Sequence, residues 1–550
     1  MLRLIRLPLA IYLLLGSCQA WHPSSLTPTP FPSPTATPSS QILWPATSTP
    51  TPLATSTLTP LPTATPWHLD LVEQATALLP WAQADLAGLE DLTQYAIELS
   101  VEVGARHSGQ DGLDEGATSV PNASPLFLIQ GRVGVRYTNT EDAPLDRVVF
   151  RLFPQTPGYG GQMRVDEVLV GGQPATTRLE FMDSALYVML PQPLHPGETI
   201  TLQLAFRVAV PEGTDVGYGQ FSYADGILAL PNVYPLIPAY DDEGWNVELA
   251  PAYGDALYSD VALYCVQVRA PSEQVVVASG SALTRVECSD GTATTTFVSG
   301  PVRDFAVVMS ADFVTSTATV DGTLVTSYYL PQDAEGGERA LGYATEALKV
   351  FSELFDPYPY AEFDVVETPT TAGGIEYPGL VVIAQRLYEE NGGFFEFATV
   401  HEAAHQWWYG LVGSDQVDEP WLDEALTQYS TLLYYEEVRG SDVADNVRKR
   451  SFEQPYEKLV EEGRDAPVGQ PVRAFSREDY GPVVYGKGSL FFQALRDEVG
   501  DEAFFAILRA YFEAYRYKIA TPEGFLALAE EVSGQELDSL YEKWILSTSP

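Results

Sequence analysis

The chain has 550 residues, which is too long for one compact domain and indicates two or three. Hydrophobic residues make up 45% of it and charged residues 19%, so large cores are possible and global disorder is excluded. With 30 Lys and Arg against 74 Asp and Glu, the formal net charge is −44, a field that repels phosphates and argues against nucleic acid as a partner.

The first eighteen residues are typical of a targeting segment. Arg3 and Arg6 precede an apolar run from Leu7 to Leu15, and small residues then lead to Cys18. This pattern resembles the lipobox of bacterial lipoproteins, in which cleavage leaves a lipid-modified cysteine as the first residue. The alternative is an ordinary secretory signal with a chance cysteine. The lipobox resemblance implies an extracytoplasmic protein that lipid on Cys18 anchors to the outer face of a bacterial membrane.

Residues 19–67 are dominated by Pro, Thr and Ser. Such a stretch cannot pack a core and favours extended polyproline II, so we expect a stalk that lifts the folded part off the membrane. A disordered leader without a spacing role is the alternative. Residues 68–92 have apolar side chains at helical spacing, interrupted by Pro80, and are predicted to be a helical segment.

Residues 93–330 are predicted to form an all-β domain with a saddle or sandwich shape. Alternating, β-branched runs separated by Gly and Pro turns indicate half-buried strands, for example at 131–137, 147–153 and 199–206. Cys265 and Cys288 both lie next to such runs. Outside the cytoplasm they can form a disulfide, and a pair of free thiols is the alternative.

The apolar period becomes helical after about residue 331. Five positions from Leu341 to Phe355 share one face of a predicted helix that Pro357 terminates. Strands are predicted at Glu362–Glu367 and Leu380–Ala384, and a mostly helical pattern follows from residue 394. Residues 331–550 are therefore predicted to be a mixed α/β domain.

The sequence His401-Glu-Ala-Ala-His405 lies within a predicted helix that Gly410 can end. Because a helix turns 100° per residue, the two imidazoles lie one turn apart on the same side and converge on one point. Glu402 is rotated beside them, within reach of a metal-bound water. This arrangement is that of the zincin metallopeptidases, so we predict a zinc site here.

Catalytic zinc needs a third protein ligand and an open position. Glu424 follows His405 by eighteen residues, in Trp421-Leu-Asp-Glu-Ala-Leu, at the start of a second predicted helix. At this point the chain resembles the gluzincin metallopeptidases typified by aminopeptidase N and leukotriene hydrolase. The resemblance implies a thermolysin-like α/β zincin catalytic domain that holds one Zn²⁺ per chain through His401, His405 and Glu424.

Two further motifs fit the resemblance. Gly373-Gly374-Ile375-Glu376-Tyr377 resembles the family's Gly-x-Met-Glu-Asn strand, which implies that Glu376 binds the substrate's α-amine and that Gly373 and Gly374 belong to the strand that pairs with the peptide. Tyr485-Gly-Lys-Gly resembles the family's Tyr-x-Lys-Gly, whose phenol stabilises the tetrahedral intermediate. Tyr480 is the competing candidate for that role.

The resemblance implies a zinc aminopeptidase of peptide substrates, with Glu402 as the general base. The large helical C-terminal domain of many family members is not recognisable in this sequence, and a separate subunit is one possible source of it. The family's second amine-binding residue, which comes from the β-domain, has no recognisable counterpart. The alternatives are a zinc endopeptidase with an open cleft and a surface binding lipoprotein with a vestigial metal site.

Overall fold

The computed structural model describes residues 71–102, 127–389 and 392–548. The predicted signal peptide with Cys18 and the predicted stalk of residues 19–67 lie outside the described residues, so both stay predictions. In the described part of the chain, no helix has the length and apolar character that crossing a membrane requires.

Residues 71–92 contain short helical turns where one helical segment is predicted. They are the helix α1 (Leu71–Gln74) and 3-10 turns at Ala75–Ala77 and Gln83–Gly88. Between the turns, Leu79 N donates to Pro359 O at 2.8 Å. Pro80 has no N–H group to continue a helix, so the residues before it pair with a distant segment instead.

From Thr93 to Tyr329 the described chain consists mainly of strands. These are β1 (Thr93–Glu102), β2 (Phe127–Thr138), β3 (Leu145–Arg151), β4 (Gln162–Val170), β5 (Gln173–Pro174), β6 (Thr176–Glu180), β7 (Ala185–Leu194), β8 (Thr199–Val210), β9 (Ser222–Ala224), β10 (Ile227–Pro231), β11 (Tyr240–Asp241), β12 (Gly244–Trp245), β13 (Ala262–Pro271), β14 (Val275–Ala278), β15 (Ser281–Glu287), β16 (Thr292–Val298), β17 (Ala306–Ser310), β18 (Val314–Val320) and β19 (Thr323–Tyr329). The predicted strand-rich region is confirmed.

Three sheets build most of this region. Within the described residues, an eight-stranded sheet has the order β15-β16-β13-β1-β2-β8-β4-β5, beside a four-stranded sheet β14-β17-β10-β9 and a three-stranded sheet β3-β7-β6. Side chains from all three share one apolar core, in which the rings of Tyr95 and Tyr264 stack at 4.9 Å. Alternating burial along strands such as β16 accounts for the period of two in the sequence.

The second region combines helices with one small mixed sheet. Its elements are α2 (Ala334–Leu354), β20 (Glu362–Thr368), β21 (Gly374–Ile375), β22 (Leu380–Ala384), α3 (Gln385–Glu389), α4 (Gly393–Ala404), β23 (Val412–Gly413), α5 (Trp421–Arg439), α6 (Ser441–Arg448), α7 (Gln454–Glu461), α8 (Arg477–Tyr480), α9 (Gly488–Val499), α10 (Asp501–Tyr515), β24 (Lys518–Ile519), α11 (Pro522–Ser533) and α12 (Asp538–Tyr541). The sheet has the order β18-β19-β20-β22-β21, so strand pairing continues across the predicted boundary at residue 330. Within it, β21 is the terminal strand.

The buried side chain of Arg303 joins the two regions. Its guanidinium donates to the carbonyl oxygens of Ser259 (3.1 Å) and Tyr409 (2.7 Å), and also to those of Leu411 and Lys518. One cation of the strand-rich region thus binds backbone from two separate segments of the helical region. A charged group at this depth is stable because backbone carbonyls satisfy its donors.

Cys265 and Cys288 are both free thiols in the structure. Cys265 lies on β13, where burial raises the pKa of its thiol to about 11. Cys288 follows β15. Of the two alternatives that the sequence left open, the structure has the free pair.

Candidate metal centre and substrate cleft

Helix α4 carries the first two predicted ligands. It begins after Gly392, whose extended backbone precedes the first turn, and ends at Ala404, one residue before His405. Beyond that point the chain stays hydrogen-bonded: Gly410 N donates to His405 O at 2.9 Å. The helix is therefore shorter than the sequence predicts, but His405 N still bonds to His401 O and keeps the two imidazoles one turn apart.

Helix α5 brings the third predicted ligand to the same place. Pro420 precedes the helix, and Glu424 N donates to Pro420 O at 3.0 Å in the first turn. Glu424 is 5% exposed, and the two histidines are at least as deeply buried. Helices α4 and α5 thus face each other with three potential metal ligands between them.

The ligand atoms form a nearly equilateral triangle. His401 Nε2 lies 3.2 Å from both His405 Nε2 and Glu424 Oε2, and His405 Nε2 lies 3.4 Å from Glu424 Oε2. Tetrahedral zinc with bonds of 2.0–2.1 Å requires ligand atoms about 3.3–3.4 Å apart. The two histidines and the carboxylate therefore fit one zinc ion, with the fourth position left to water or substrate.

Asp423 orients one of the two imidazoles. His405 Nδ1 lies 2.7 Å from Asp423 Oδ1 and 3.2 Å from Trp408 O, so the Nδ1 proton is donated on that side and Nε2 keeps its lone pair for a metal. Gln416 Nε2 holds the other Asp423 oxygen. Burial lowers the pKa of His405, but the Asp423 and Glu376 carboxylates outweigh burial and raise it well above its usual value.

Asp423 is a candidate positioning residue that sequence reasoning missed. It directly precedes Glu424 on α5. Helical geometry alone does not reveal that this position faces His405, because the contact depends on how α4 and α5 cross. His401, in contrast, has no protein partner for its Nδ1 among the described residues.

Glu402 lies against the backbone of β21. A side chain on Gly374 would collide with the Glu402 carboxyl group, with 2.6 Å between the added Cβ and Oε1, so the close approach requires glycine there. Burial, followed by the charge of Glu376, raises the pKa of Glu402 well above its usual value. Glu402 is outside the ligand triangle, and an elevated pKa suits a general base.

Glu376 follows β21 and is 8% exposed. One of its carboxylate oxygens lies within 4.8 Å of a ring nitrogen of His405. Burial raises its pKa to about 7, against the opposing effect of His405. Upstream, Gly373 O accepts from Ala384 N at 3.1 Å and holds the strand on β22. The structure therefore brings Glu376, Gly373 and Gly374 beside the metal ligands.

Tyr377 takes the place of the family's asparagine without disturbing this strand. Its ring is buried in a small apolar cluster. Its carbonyl accepts from Gln406 Nε2 at 3.2 Å, and the same amide's oxygen accepts from Gly379 N at 2.7 Å. The aromatic side chain thus points into the core, and Gln406 fixes the turn that follows.

Tyr485 belongs to a π-helical turn at Gly481–Lys487. Its hydroxyl donates to Glu424 Oε1, the oxygen outside the ligand triangle. Tyr480 is also nearby, with ring centroids 5.9 Å apart, but its buried hydroxyl has no hydrogen-bond partner among the described residues. Of the two predicted candidates, Tyr485 is the one that reaches the ligand set.

The strand-rich region adds a carboxylate to this site. Asp255 lies beside Glu424 and Glu376; burial, followed by their charges, raises the pKa of its carboxyl well above its usual value. A Cβ on Gly254 would lie 2.6 Å from a Val472 methyl group, so glycine allows this segment to press against the helical region. Sequence reasoning could not place this residue, because no local motif surrounds it.

Residues 339–544 match the family model described as Peptidase family M1 domain. This part of the chain is a peptidase family M1 domain. The M1 domain includes the three candidate metal ligands, and it also includes Glu402, Glu376 and Tyr485. The predicted gluzincin resemblance is confirmed. Asp255 lies before the matched residues.

Two curated aminopeptidases each match less than half of the chain. Aminopeptidase M1-C of Oryza sativa subsp. japonica is 26% identical over 253 residues, which are 44% of this chain and 28% of that protein. Aminopeptidase N of Lactococcus lactis subsp. lactis is 28% identical over 251 residues, which are 41% of this chain and 28% of that protein. The chain thus spans 28% of the length of these curated relatives.

Solved structures match both regions. The M1 zinc metallopeptidase of Deinococcus radiodurans has a TM-score of 0.60 at 22% identity, over 84% of this chain and 94% of that protein. A variant of that metallopeptidase bound to a Tyr-Ser-Ala substrate has a TM-score of 0.59 at 21% identity, over 83% and 94%. The likeness establishes the fold, in which a strand-rich region precedes the M1 domain.

Proposed function

We propose that the protein is a zinc-dependent aminopeptidase that hydrolyses N-terminal residues from peptides. The position of Glu376 carries the proposal. This buried carboxylate directly follows β21, the terminal strand of its sheet in the described structure, and lies beside the candidate metal ligands. A peptide can add to that strand edge, and its α-ammonium then needs a negative partner because an unpaired buried charge is costly.

Glu402 is the proposed general base. When bound, zinc supplies the positive charge that acidifies a water molecule and polarises a carbonyl group. Glu402 takes up the proton of the attacking water and delivers it to the leaving amine. Its contact with Gly374 holds the carboxyl group against the strand along which the substrate backbone would lie. The strand that contains Gly374 would thereby position both the base and the scissile bond.

Tyr485 is the proposed donor to the oxyanion. Its hydroxyl already donates to the Glu424 carboxylate, and its ring centroid lies 6.0 Å from that of His401, so the phenol reaches the ligand set. Rotation about the C–O bond lets the same proton meet a carbonyl oxygen that becomes negative during attack. Such a donor acts in the transition state, where charge develops, more than in the ground state.

Asp255 and Glu376 are the proposed partners of the substrate ammonium. They belong to different regions of the chain, and after the larger effect of burial the charge of Glu376 raises the pKa of Asp255. Two mutually repelling carboxylates at one place are stabilised by a cation between them. A free peptide N-terminus supplies that cation, whereas an internal peptide bond does not.

The two alternatives explain less of the site. An endopeptidase with an open cleft gives no role to the buried pair of Asp255 and Glu376. A binding lipoprotein with a vestigial metal site gives no role to Asp423, whose hydrogen bond selects the His405 tautomer that a metal needs. The aminopeptidase proposal uses all of these groups.

Matched aminoacyl-amide substrates with free and acetylated N-termini, assayed on the full chain, test the proposal. We expect about one zinc per chain, loss of cleavage on chelation, and cleavage of the free substrates only. Equal cleavage of both substrates would favour the endopeptidase. A folded protein that neither binds zinc nor cleaves peptides would favour the binding alternative.

We further propose that lipid on Cys18 holds the protein on the outer face of a bacterial membrane. The basic residues, the short apolar run and the small residues before Cys18 support this location. Cys18→Ser should move the protein from the membrane fraction to the soluble fraction and leave cleavage of small substrates unchanged. Retention of Cys18→Ser in the membrane fraction would contradict lipid attachment at this residue.

A further inference from the structure

The loop between β8 and β9, residues 211–221, reaches from the strand-rich region to the substrate cleft. Tyr218 at its tip has φ 59° and ψ 12°, a left-handed conformation that an aromatic residue adopts only where its surroundings hold it. The preceding Gly217 also has positive φ, and a Cβ there would overlap Gly158 O. Packing on Gly158 therefore fixes the backbone that presents Tyr218.

The backbone of Tyr218 binds the segment that leads to the substrate strand. Its carbonyl oxygen accepts from Thr371 N and from Thr370 Oγ1, both at 2.8 Å. Gly373 and Gly374 follow within four residues of Thr370. One carbonyl of the loop thus anchors the start of the wall that carries Glu376.

The ring of Tyr218 contacts the opposite wall. The guanidinium of Arg477 lies over it, 5.5 Å from the ring centroid, a distance at which a cation is attracted to the ring face. Arg477 begins α8, which leads directly into the turn that contains Tyr485. Burial raises the pKa of the Tyr218 phenol, Arg477 lowers it and the charge of Asp255 raises it, so the phenol lies within electrostatic reach of both Arg477 and Asp255.

We propose that the ring of Tyr218, stacked with Arg477, is the end wall of the cleft. Because of this wall, a peptide can bind only when its N-terminal residue lies at Glu376. The inference rests on the proposed aminopeptidase function and adds a steric component to it. Asp255 and Glu376 select for a positive charge, whereas the ring excludes any atoms that would precede the amine. A substrate blocked at its N-terminus is therefore rejected twice, by charge and by volume.

Two variants separate the ring from the backbone. Tyr218→Gly keeps the left-handed conformation and the carbonyl that binds Thr370 and Thr371, but it removes the ring. Tyr218→Phe keeps the ring. Phe181→Gly is the matched control, because Phe181 is an exposed aromatic residue with φ 51° in the turn between β6 and β7.

The measurement is the ratio of kcat/KM for free and N-acetylated forms of one peptide substrate, with zinc content and thermal unfolding recorded alongside. Tyr218→Gly should lower the ratio at least about tenfold, mainly through a lower KM for the acetylated form, because a group that no longer clashes regains binding. Tyr218→Phe and Phe181→Gly should keep the wild-type ratio. Arg477→Gln, an exposed substitution, should lower the ratio in the same direction as Tyr218→Gly.

A wild-type ratio in folded Tyr218→Gly would overturn the proposal that the ring is the end wall. If kcat/KM fell equally for free and acetylated substrates, the ratio would also be unchanged, and the loop would have a structural role only. If Tyr218→Gly fails to fold, Arg477→Gln decides the question: an unchanged ratio overturns the proposal. Failure of the aminopeptidase function itself would appear earlier, as wild-type protein that cleaves both forms equally.

Discussion

The two walls of the cleft differ in how their residues are assembled. The M1 domain contributes groups that lie close together in the chain, from His401 to Glu424, on two adjacent helices. The strand-rich region contributes Tyr218 and Asp255 from two loops, and each meets its partners across more than a hundred residues of sequence. In our proposal, the first wall carries out the chemistry and the second selects the substrate end at which chemistry occurs.

This difference indicates how the two walls respond to mutation. A change among the M1 groups from His401 to Glu424 should remove the metal or the proton transfer and affect every substrate, whereas Glu376 of the same domain acts with the selecting groups. A change in the wall from the strand-rich region should alter the choice among substrates and leave the metal in place. Substitutions in both walls test this division.

Glu402→Gln should lower kcat by about 10²–10⁴, because the amide cannot accept the proton of the attacking water. Zinc content should be unchanged, since Glu402 is outside the ligand triangle. Glu396→Gln on the same helix is the control; Glu396 pairs with Arg439 at 2.7 Å, away from the ligands, and its loss should barely change kcat. Steady-state kinetics with metal analysis checks both. Full activity in Glu402→Gln would remove the proposed base.

Glu376→Ala should lower kcat/KM for free-amine substrates by a factor of about 30 to several thousand, because truncating one member of a desolvated charged pair costs about 2–5 kcal/mol. Asp255→Ala should have a smaller effect in the same direction, since Asp255 is less buried. If the two carboxylates bind one ammonium, the free-energy loss in kcat/KM of the double variant should be smaller than the sum of the losses of the two single variants. Strict additivity would place them in separate subsites.

Tyr485→Phe should lower kcat by about 10²–10³ and leave KM and folding nearly unchanged, because the lost hydroxyl acts on charge that develops in the transition state. Tyr480→Phe should be close to wild type. Kinetics on one free-amine substrate compares the two. The reverse result, with Tyr480→Phe inactive, would move the oxyanion donor five residues upstream.

Asp423→Asn should weaken zinc affinity about 10–100-fold, because it removes the carboxylate that orients His405. Competition with a chelator measures this affinity on the full chain. Asp418→Asn is the matched control, since Asp418 pairs with Arg473 at 2.6 Å on the surface. Activity of Asp423→Asn at saturating zinc should recover substantially, which separates a positioning role from a chemical one.

The sequence predicted that His401, His405 and Glu424 come together, as they do in the structure, because the signals for them are local. Helical periodicity places His401 and His405 together, and the spacing to Glu424 identifies a second helix in front of them. The sequence places the end of α4 several residues beyond its position in the structure. The reason is that residues 406–410 form hydrogen-bonded turns after the helix has ended at Ala404. Asp423 escaped prediction because its role depends on the crossing of two helices.

The other wall gave no such signal. Asp255 and Tyr218 lie in loops whose positions depend on the pairing of distant strands, and no periodicity marks them. The only local feature in the sequence is the glycine that precedes each residue. Gly217 and Gly254 each lie where a side chain would collide with a neighbouring segment. A glycine next to an isolated polar residue is too common in loops to identify a site from sequence alone.

Arg303 limits how far this protein can be shortened. If the M1 domain were expressed without the strand-rich region, the carbonyls of Tyr409 and Lys518 would exchange this guanidinium for water, whereas Leu411 O would keep its hydrogen bond from Tyr517 N at 2.7 Å. The larger cost would be exposure of the apolar core to which both regions contribute side chains, because burial of apolar surface is the main source of stability. We therefore expect the M1 domain expressed alone to be much less stable than the two regions together.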